Sequence, residues 1–299
     1  SDRLAHGMSF GQFLLLRVVR MYPLFLLGLG AAIVHAALQL ALHHPDGLSA
    51  PSLAWSIAFE LFMLPSPADA RLFPLNGPAW SLFFEMLINI VYAAVMVRAS
   101  TKALLLGLVV SAIGLVVAAA STGSLGTGYR WDSAHWGLIR VCFSFTAGLL
   151  LHRLNLHARH SLGGAWFVLP IVALVVVLSV APLPAWRAAY DAGVLVAVSP
   201  LLVALAAACR PAAWFRSSAR LLGDASYAIY AVHYAPLLML AWAMGQWHVP
   251  ARVWLPLFLL ALLPLAVLLN RHYDQPLRRQ LDAWWRPRPT SALSATRST

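Results

Sequence analysis

The stretch LLLGLVVSAIGLVVAAA, residues 104–120, contains no charged residue and a single hydroxyl group. A helix needs about 20 predominantly apolar residues to cross the hydrocarbon core of a bilayer. A second run, PLFLLALLPLAVLL at residues 256–269, has the same character. Neither run has the polar face that a surface helix of a soluble protein requires. Both therefore predict membrane-spanning helices.

The composition of the whole chain agrees with this interpretation. The 299 residues are 61% hydrophobic and 10% charged, whereas soluble domains are about 25% charged. We therefore predict an all-α fold, a polytopic transmembrane helical bundle. Cys142 and Cys209 lie within or at the end of apolar stretches and indicate no disulfide framework. Zinc-type spacing of His and Cys is absent, so no metal site is expected.

Nine apolar segments are candidates for spans. One of them, residues 51–64, has only 14 residues, which is below the usual spanning range. We interpret it as a re-entrant or interfacial segment, which leaves about eight spans. The eight lie near residues 20–42, 78–98, 103–120, 136–152, 164–181, 190–208, 222–245 and 253–270.

The basic residues predict the orientation of these spans. With eight spans, the two sides of the membrane receive very different numbers of the 21 Lys and Arg residues. Apart from Arg140, which lies within a span, sixteen fall on one side and four on the other, namely Arg71, Arg130, Arg187 and Arg252. The positive-inside rule then places both termini in the cytoplasm and the 43–77 loop on the outer face. The net charge of +11 is explained by these span ends, so nucleic acid is not an expected partner.

The segment NGPAWSLFFEML, residues 76–87, places a carboxylate near the start of a predicted span. A charge at the centre of a bilayer costs at least about 2.5–3.5 kcal/mol on insertion scales, so Glu85 needs a reason to be there. Helical spacing puts Ser81, Glu85, Asn89 and Tyr92 along one face. This stripe indicates either a polar reaction cavity or a set of interhelical hydrogen bonds.

Two further polar side chains lie within predicted spans. His233, in LLGDASYAIYAVHYAPLL, shares a helical face with Tyr230 and could shuttle a proton or act as a base. The alternative is a packed, hydrogen-bonded histidine. Arg140, in HWGLIRVCFSF, is expected to face a carboxylate or an anionic substrate, and Glu85 is a candidate partner. His35 is interpreted as structural.

The segment RVVRMYPLF, residues 17–25, stands at the predicted cytoplasmic entry to the first span. Arg17 and Arg20 are three residues apart and therefore lie on one helical face. They could simply anchor the helix at the membrane surface. They could also form a phosphate clamp, because arginine recognises phosphate through paired donors.

Four stretches, in this order, resemble the acyltransferase-3 family of bacterial integral-membrane acyltransferases. RVVRMYPLFLLG is similar to the family's R-x-x-R followed by Tyr-Pro, and NGPAWSLFFEML to its W-S-L-x-x-E. LGDASYAIYAVHYAPLL is similar to its S-Y-x-x-Y-x-x-H. RHYDQPLRR stands in place of the family's E-x-P-x-R ending, with Asp274 replacing the glutamate. The resemblance covers residues 3–282.

The resemblance implies an enzyme of the bacterial inner membrane. Family members take an acyl group, commonly acetyl, from a cytoplasmic coenzyme A thioester. They place it on a hydroxyl of a carbohydrate, a lipid-linked glycan or a glycosylated metabolite. Arg17 and Arg20 would bind the phosphates of this donor substrate (acyl-CoA), and no permanently bound cofactor is expected. Glu85 and His233 are predicted catalytic residues, and Arg140 is added to them because of its position within a span rather than from a family motif. Trp80, Ser81, Asn89 and Tyr230 are predicted to line the substrate cavity, Asn89 from its helical spacing alone.

One element of the family pattern has no counterpart in this sequence. The family's first span carries an arginine and, after ten intervening residues, a histidine regarded as the catalytic base. The span at 20–42 aligns with the family's third, so two spans are expected to be missing from an N-terminally truncated domain, residues 1–282. Residues 283–299 are predicted to form a disordered cytoplasmic tail.

Three functions remain open on the sequence alone. The first is O-acyl transfer to a carbohydrate acceptor, across or within the lipid bilayer. The second is a proton-coupled transporter in which Glu85, Arg140 and His233 form the path. The third is a catalytically inactive relative that binds a glycan.

Overall fold

The computed structural model describes residues 8–154 and 163–285. These residues form helices joined by short connections, and their only β-type pairing is an isolated antiparallel bridge between Arg71 and Arg130. The all-α prediction is confirmed. Arg3, Arg159 and the three arginines after residue 285, which entered the orientation argument, lie outside the described residues.

The described residues contain twelve α-helices. Their bounds are α1 Phe10–Ala41, α2 Ala50–Glu60, α3 Ala79–Ala94, α4 Thr101–Thr122, α5 Ala134–Arg153, α6 Val168–Ser179, α7 Pro184–Gly193, α8 Ser199–Ala208, α9 Arg216–Val232, α10 Tyr234–Gln246, α11 Ala251–Leu269 and α12 Gln275–Trp285. A π-helical turn, Val194–Val198, joins α7 to α8, and a second, Asn270–Asp274, joins α11 to α12.

The described helices include five that are long and apolar enough to cross a membrane, or six if α9 and α10 count as one bent span. The five are Phe10–Ala41, Thr101–Thr122, Trp131–Arg153, Pro184–Ala208 and Ala251–Trp284. Helices α3 and α6 are apolar but have only 16 and 12 residues. A total of eight spans requires both to cross as well, so that number stays a prediction.

The predicted span at 222–245 is not one straight helix. Helices α9 and α10 meet at His233 with a bend of 60°. Pro236, in the first turn of α10, has no N–H with which to donate to the carbonyl of Val232, and its ring crowds that carbonyl. The break follows from this proline, and it places His233 at a corner rather than within a continuous helix.

The segment 51–64 forms the 11-residue helix α2 and a following turn, which together are too short to span. At the other end of the chain, α12 continues through Trp285. The first three residues of the predicted tail are thus helical, and residues 286–299 lie outside the described residues.

Helix α1 is the centre of the bundle. One core cluster packs α1 against α3 and the 61–78 loop, and includes Phe25, Leu29, Phe73 and Leu82. A second cluster packs Leu24 of α1 against small residues of α9 and Ala266 of α11. The close crossing of α1 and α9 requires a glycine, because a Cβ added at Gly28 would lie 2.0 Å from the carbonyl oxygen of Ala231.

The bundle has two ends, which we call the basic end and the opposite end. The basic end carries the start of α1, the α3–α4 connection, the end of α5 and the start of α9. There, Nη1 of Arg153 donates to the carbonyl of Ala99 at 2.6 Å. The opposite end carries the 61–78 loop and the 123–133 loop, and the N–H of Leu72 donates to the carbonyl of Tyr129 at 2.9 Å.

Candidate functional site

Arg17 and Arg20 lie on α1 at the basic end. The guanidinium of Arg17 is half-buried and stacks over the ring of Phe13 at 5.1 Å, whereas Arg20 is exposed. Within the described part of the chain, the ion pairs do not include either residue. The two guanidinium groups repel each other electrostatically. Two neighbouring cations without a carboxylate partner are suited to an anionic ligand.

Glu85 is exposed on α3. It is close enough to Arg17 of α1 and to Tyr227 and Tyr230 of α9 for electrostatic interaction with all three. The described ion pairs within 4.0 Å do not include it. The side chain is therefore open to a ligand or a proton carrier, on the flank that faces the arginine pair.

Ser81 and Tyr230, both predicted to line a cavity, are in direct contact. The Tyr230 hydroxyl and the Ser81 hydroxyl form a hydrogen bond between α9 and α3, and Tyr230 also donates to the carbonyl of Pro78 at 2.6 Å. A Cβ at the neighbouring Gly77 would lie 2.9 Å from Cζ of Tyr234, so a side chain there would require the Tyr234 ring to shift. The NGPAWSLFFEML and LGDASYAIYAVHYAPLL motifs therefore meet at this contact, which we call the Ser81–Tyr230 joint.

His233 lies next to this joint, with its ring centroid 6.1 Å from that of Tyr230. Its Nδ1 lies 3.1 Å from the carbonyl oxygen of Ile229 and 2.9 Å from that of Tyr230. A carbonyl oxygen only accepts hydrogen bonds, so we infer that Nδ1 carries the proton in the neutral ring. Nε2 is then the nitrogen that can accept a proton.

Arg140 does not meet the partner that the sequence suggested. Its guanidinium donates through Nη2 to the carbonyls of Leu125 and Thr127, the latter at 3.0 Å, and lies 5.5 Å from the ring of Trp80. No ion pair joins it to Glu85 among the described residues. Arg140 points to the opposite end because the 123–128 loop offers it carbonyl oxygens there.

Trp80 and Asn89 are more enclosed than a cavity lining requires. Trp80 is half-buried, and its ring packs edge-on against Phe84 at 6.0 Å and under Arg140. Asn89 is buried, and its Nδ2 donates to the backbone carbonyl of Glu85 at 2.7 Å. Its Oδ1 has no hydrogen-bond partner among the described residues. The stripe predicted on α3 is therefore split, with Glu85 outside and Asn89 inside.

Asp274 and Arg278 add a second group of charges near the arginine pair. Asp274 is fully buried at the end of a π-helical turn, and Arg278 Nε donates to its Oδ1 at 2.9 Å. Arg278 also lies 5.9 Å from the ring of Tyr227, whose hydroxyl donates to the carbonyl of Met21 at 2.5 Å. These contacts fix the closing RHYDQPLRR motif against α1 and α9.

Glu60 is the carboxylate that sequence reasoning missed. It ends α2, is fully buried, and accepts hydrogen bonds from the backbone N–H groups of Leu75 at 2.9 Å and Asn76 at 3.1 Å. These donors immediately precede α3, which carries Ser81 and Glu85. A carboxylate within the apolar run SIAFELFML, residues 56–64, is energetically costly, and this cost indicates that Glu60 has a specific role. It was overlooked because the segment was interpreted as interfacial.

Burial raises the pKa of Glu60 to about 7. The two backbone hydrogen bonds and the charge of Arg71 act in the opposite direction, and the charge of Asp69 acts with burial. The side-chain hydrogen bond from Arg71, at 2.9 Å, holds the pKa of Asp69 below its usual value. The pKa of Glu60, at the end of α2, is therefore near neutral, and the neighbouring 61–78 loop contains the Asp69–Arg71 ion pair.

Comparisons with known proteins agree with the family resemblance of the four sequence motifs. Residues 3–271 match the profile of a family described as an acyltransferase domain. The chain is also similar to "Protein 2 in picA locus" of Rhizobium radiobacter, with 37% identity over 121 residues. That match covers 37% of this chain and 63% of the relative, so the chain spans less than two thirds of the relative's length. No solved structure matches.

Proposed function

The chain belongs to this acyltransferase-3 family, and on that premise we propose that it transfers an acyl group, commonly acetyl, from a coenzyme A thioester to a carbohydrate hydroxyl. Its apolar helices make it a membrane protein. The observation that supports the proposal is that Glu85 lies within electrostatic reach of both Arg17 of α1 and Tyr230, whose hydroxyl contacts Ser81.

The basic end is the proposed donor side. Arg17 and Arg20 form no ion pair within 4.0 Å in the described part of the chain, and Glu85 and Asp274 act on them only from farther away. Guanidinium groups bind phosphate oxygens through paired donors. Coenzyme A carries phosphates on a flexible arm that ends in the thioester. Binding the phosphates at the basic end would direct this arm toward Glu85 and Tyr230.

Acyl transfer needs a base and a donor of hydrogen bonds to the oxyanion. The acceptor hydroxyl loses its proton to the base, its oxygen forms a bond to the thioester carbonyl carbon, and the C–S bond breaks. The thiolate then takes up the proton and leaves as the coenzyme A thiol. In the described residues, Nε2 of His233 is the basic nitrogen beside the joint. The Tyr230 hydroxyl would serve as the donor by turning from the Pro78 carbonyl, to which it donates in this structure, toward the oxyanion. Glu85 would stabilise the positive charge of the protonated base.

The proposed orientation follows from the donor. Acyl-coenzyme A is a cytoplasmic metabolite, so the basic end would face the cytoplasm of a bacterium, with both chain termini on that side of the inner membrane. The positive-inside rule gives the same orientation. The acceptor, a glycan or lipid-linked glycan, would approach from the opposite end.

The test is transfer of label from acetyl-coenzyme A. Membranes that carry the full-length protein receive [¹⁴C]acetyl-coenzyme A and an extract of cell-surface glycans, and the products are separated. Label in an alkali-labile ester on carbohydrate is expected. A protein that moves substrate across the membrane without transferring label would be the transporter instead, and the proposal would be wrong.

A further inference from the structure

A cavity of about 380 Å³ opens at the opposite end, between the 123–128 loop, α5 and α6–α7. Its volume is within the range of small-molecule sites. Arg140, Arg187, Tyr190 and Asp191 supply the charged and polar side chains of its wall. The cavity is separate from Arg17 and Arg20 at the basic end. Its lining residues include none from the four sequence motifs.

The carboxylate in this cavity makes most of its hydrogen bonds within the protein. Asp191 Oδ2 accepts from the Ser124 hydroxyl at 2.8 Å, from the Leu125 N–H at 2.9 Å and from Arg187 Nε at 3.1 Å. Its Oδ1 lies 3.0 Å from the same Arg187 nitrogen. The Tyr190 hydroxyl donates to the carbonyl of Val177 at 2.5 Å and is likewise engaged. The charged groups of the wall that are still able to bind a ligand are therefore mainly guanidinium donors.

Arg140 is the main such donor. It is half-buried and uses Nη2 for the carbonyls of Leu125 and Thr127. In the part of the chain that the structure describes, its Nε and Nη1 have no hydrogen-bond partner, and no carboxylate lies within 4.0 Å. Asp191 attracts it electrostatically from a greater distance but is already paired with Arg187. The cavity thus has an excess of one positive charge.

We propose that this cavity binds an oxyanion-bearing sugar, with Arg140 and Arg187 holding the carboxylate or phosphate group. Guanidinium groups bind either oxyanion through paired donors. The other wall is apolar and includes Val177, Leu178, Val180 and Pro182, on which the carbon face of a sugar ring can rest. The proposal rests on the proposed function in one respect, since it identifies this sugar as part of the acyl acceptor.

Arg140 also connects the cavity to the Ser81–Tyr230 joint. Its guanidinium lies 5.5 Å from the ring of Trp80, and Trp80 directly precedes Ser81. An anion bound to Arg140 would therefore lie on the acceptor side of the motif helix α3. The bound sugar would present its hydroxyls to the side of α3 opposite the donor phosphates.

Binding is measured without any acyl donor, so that a failure of the proposed function cannot affect the result. The purified full-length protein in lipid nanodiscs is titrated with glucuronate, glucose 1-phosphate and glucose. At least one charged sugar is expected to bind about tenfold more tightly than glucose, because hydrogen bonds to a charged group are strong. Preference for glucuronate or for glucose 1-phosphate identifies the oxyanion. Equal binding of all three, or binding of none, would overturn the proposal.

Two pairs of variants locate the site. Arg187→Gln is expected to abolish the preference, whereas Arg252→Gln, an exposed arginine of the predicted outer side that does not line the cavity, should retain it. Leu178 lines the cavity at the last turn of α6 and is 76% exposed, so its side chain makes few contacts with the rest of the protein. Leu178→Glu should weaken binding of the charged sugar by repulsion, and Leu178→Gln should not. An unchanged preference in both Arg187→Gln and Leu178→Glu would contradict the proposal.

Discussion

Two glutamates lie on neighbouring helices and differ in burial: Glu60 ends α2 and is buried, whereas Glu85 lies on α3 and is exposed. Glu60 is fully buried and accepts two backbone hydrogen bonds. Glu85 is exposed, has no ion pair in the described part of the chain, and faces the unpaired arginines of α1. Burial penalises the charge of Glu60, and the two backbone hydrogen bonds compensate for this only in part. Glu85 is exposed and does not carry that burial penalty. The difference assigns a structural role to Glu60 and leaves Glu85 available for chemistry.

The largest effect is expected from removing the Glu60 carboxylate. Glu60→Ala leaves the N–H groups of Leu75 and Asn76 buried without an acceptor. Each unsatisfied donor costs about 1–3 kcal/mol, so the free energy of unfolding should fall by about 4 kcal/mol. The thermal unfolding midpoint in detergent measures this. Glu60→Gln keeps one acceptor and should lose about half as much, and an unchanged midpoint in Glu60→Ala would show that the carboxylate is not structural.

The pH dependence of stability should depend on the same residue. The pKa of Glu60 is raised from 4.5 to about 7, so the folded state retains the proton where the unfolded state has lost it. The resulting stabilisation is fully present below pH 4.5 and is lost as pH rises through about 7, a change of about 3 kcal/mol. Unfolding midpoints between pH 5 and 8 should fall in the wild type and be flat in Glu60→Gln. Parallel curves for the two proteins would contradict the assignment.

Glu85→Gln should lower activity and leave stability unchanged. Because Glu85 is exposed, the unfolding midpoint should not change. Acyl transfer should fall about 100-fold, the usual range for loss of a group that acts on proton transfer. The rate of label transfer per mole of folded protein is the measurement. Wild-type activity in Glu85→Gln would remove this residue from the mechanism.

The arginine pair should affect donor binding rather than turnover. Arg17→Ala with Arg20→Ala should raise the KM for acyl-coenzyme A about tenfold, since charge-assisted contacts to phosphate are lost. Arg98→Ala is the matched control, an exposed arginine at the same end of the bundle. An equal KM in the pair variant and in the control would leave only membrane anchoring for Arg17 and Arg20.

The smallest effect is expected at the joint of α3 and α9. Tyr230→Phe removes the hydrogen bonds to Ser81 and to the Pro78 carbonyl, and each is worth about 1 kcal/mol. A modest fall in the unfolding midpoint should accompany a fall in the rate of transfer. If the midpoint falls and the rate does not, Tyr230 is a structural residue alone.

Much of this architecture follows from local sequence. Apolar run length predicts the helices, and the shortness of residues 51–64 correctly predicts a non-spanning segment. The bend at His233 depends on Pro236, which was visible in the sequence but was placed inside a continuous span. Propensity alone cannot decide between a kinked span and two helices, because neighbouring helices compensate for the lost hydrogen bond.

The site could be predicted only in part. The structure brings Ser81 and Tyr230, both predicted to line the substrate cavity, into contact, and it places Arg17 near Arg20, while their roles stay predictions. The contacts of Arg140 with Leu125 and Thr127 could not be foreseen, because they depend on how the 123–128 loop folds back. Asp191 of α7 contacts Leu125 of the same loop, 66 residues away along the chain. Long-range contacts of this kind leave no periodic signal in one sequence.

The account depends most directly on the contrast between the two glutamates during acyl transfer. Membranes carrying the wild type, Glu85→Gln or Glu60→Gln receive [¹⁴C]acetyl-coenzyme A and glycan acceptor, and label on carbohydrate is normalised to folded protein. We expect transfer by the wild type, about 100-fold less by Glu85→Gln, and near-wild-type transfer per folded molecule by Glu60→Gln. Full activity in Glu85→Gln, or loss of activity confined to Glu60→Gln, would contradict the account.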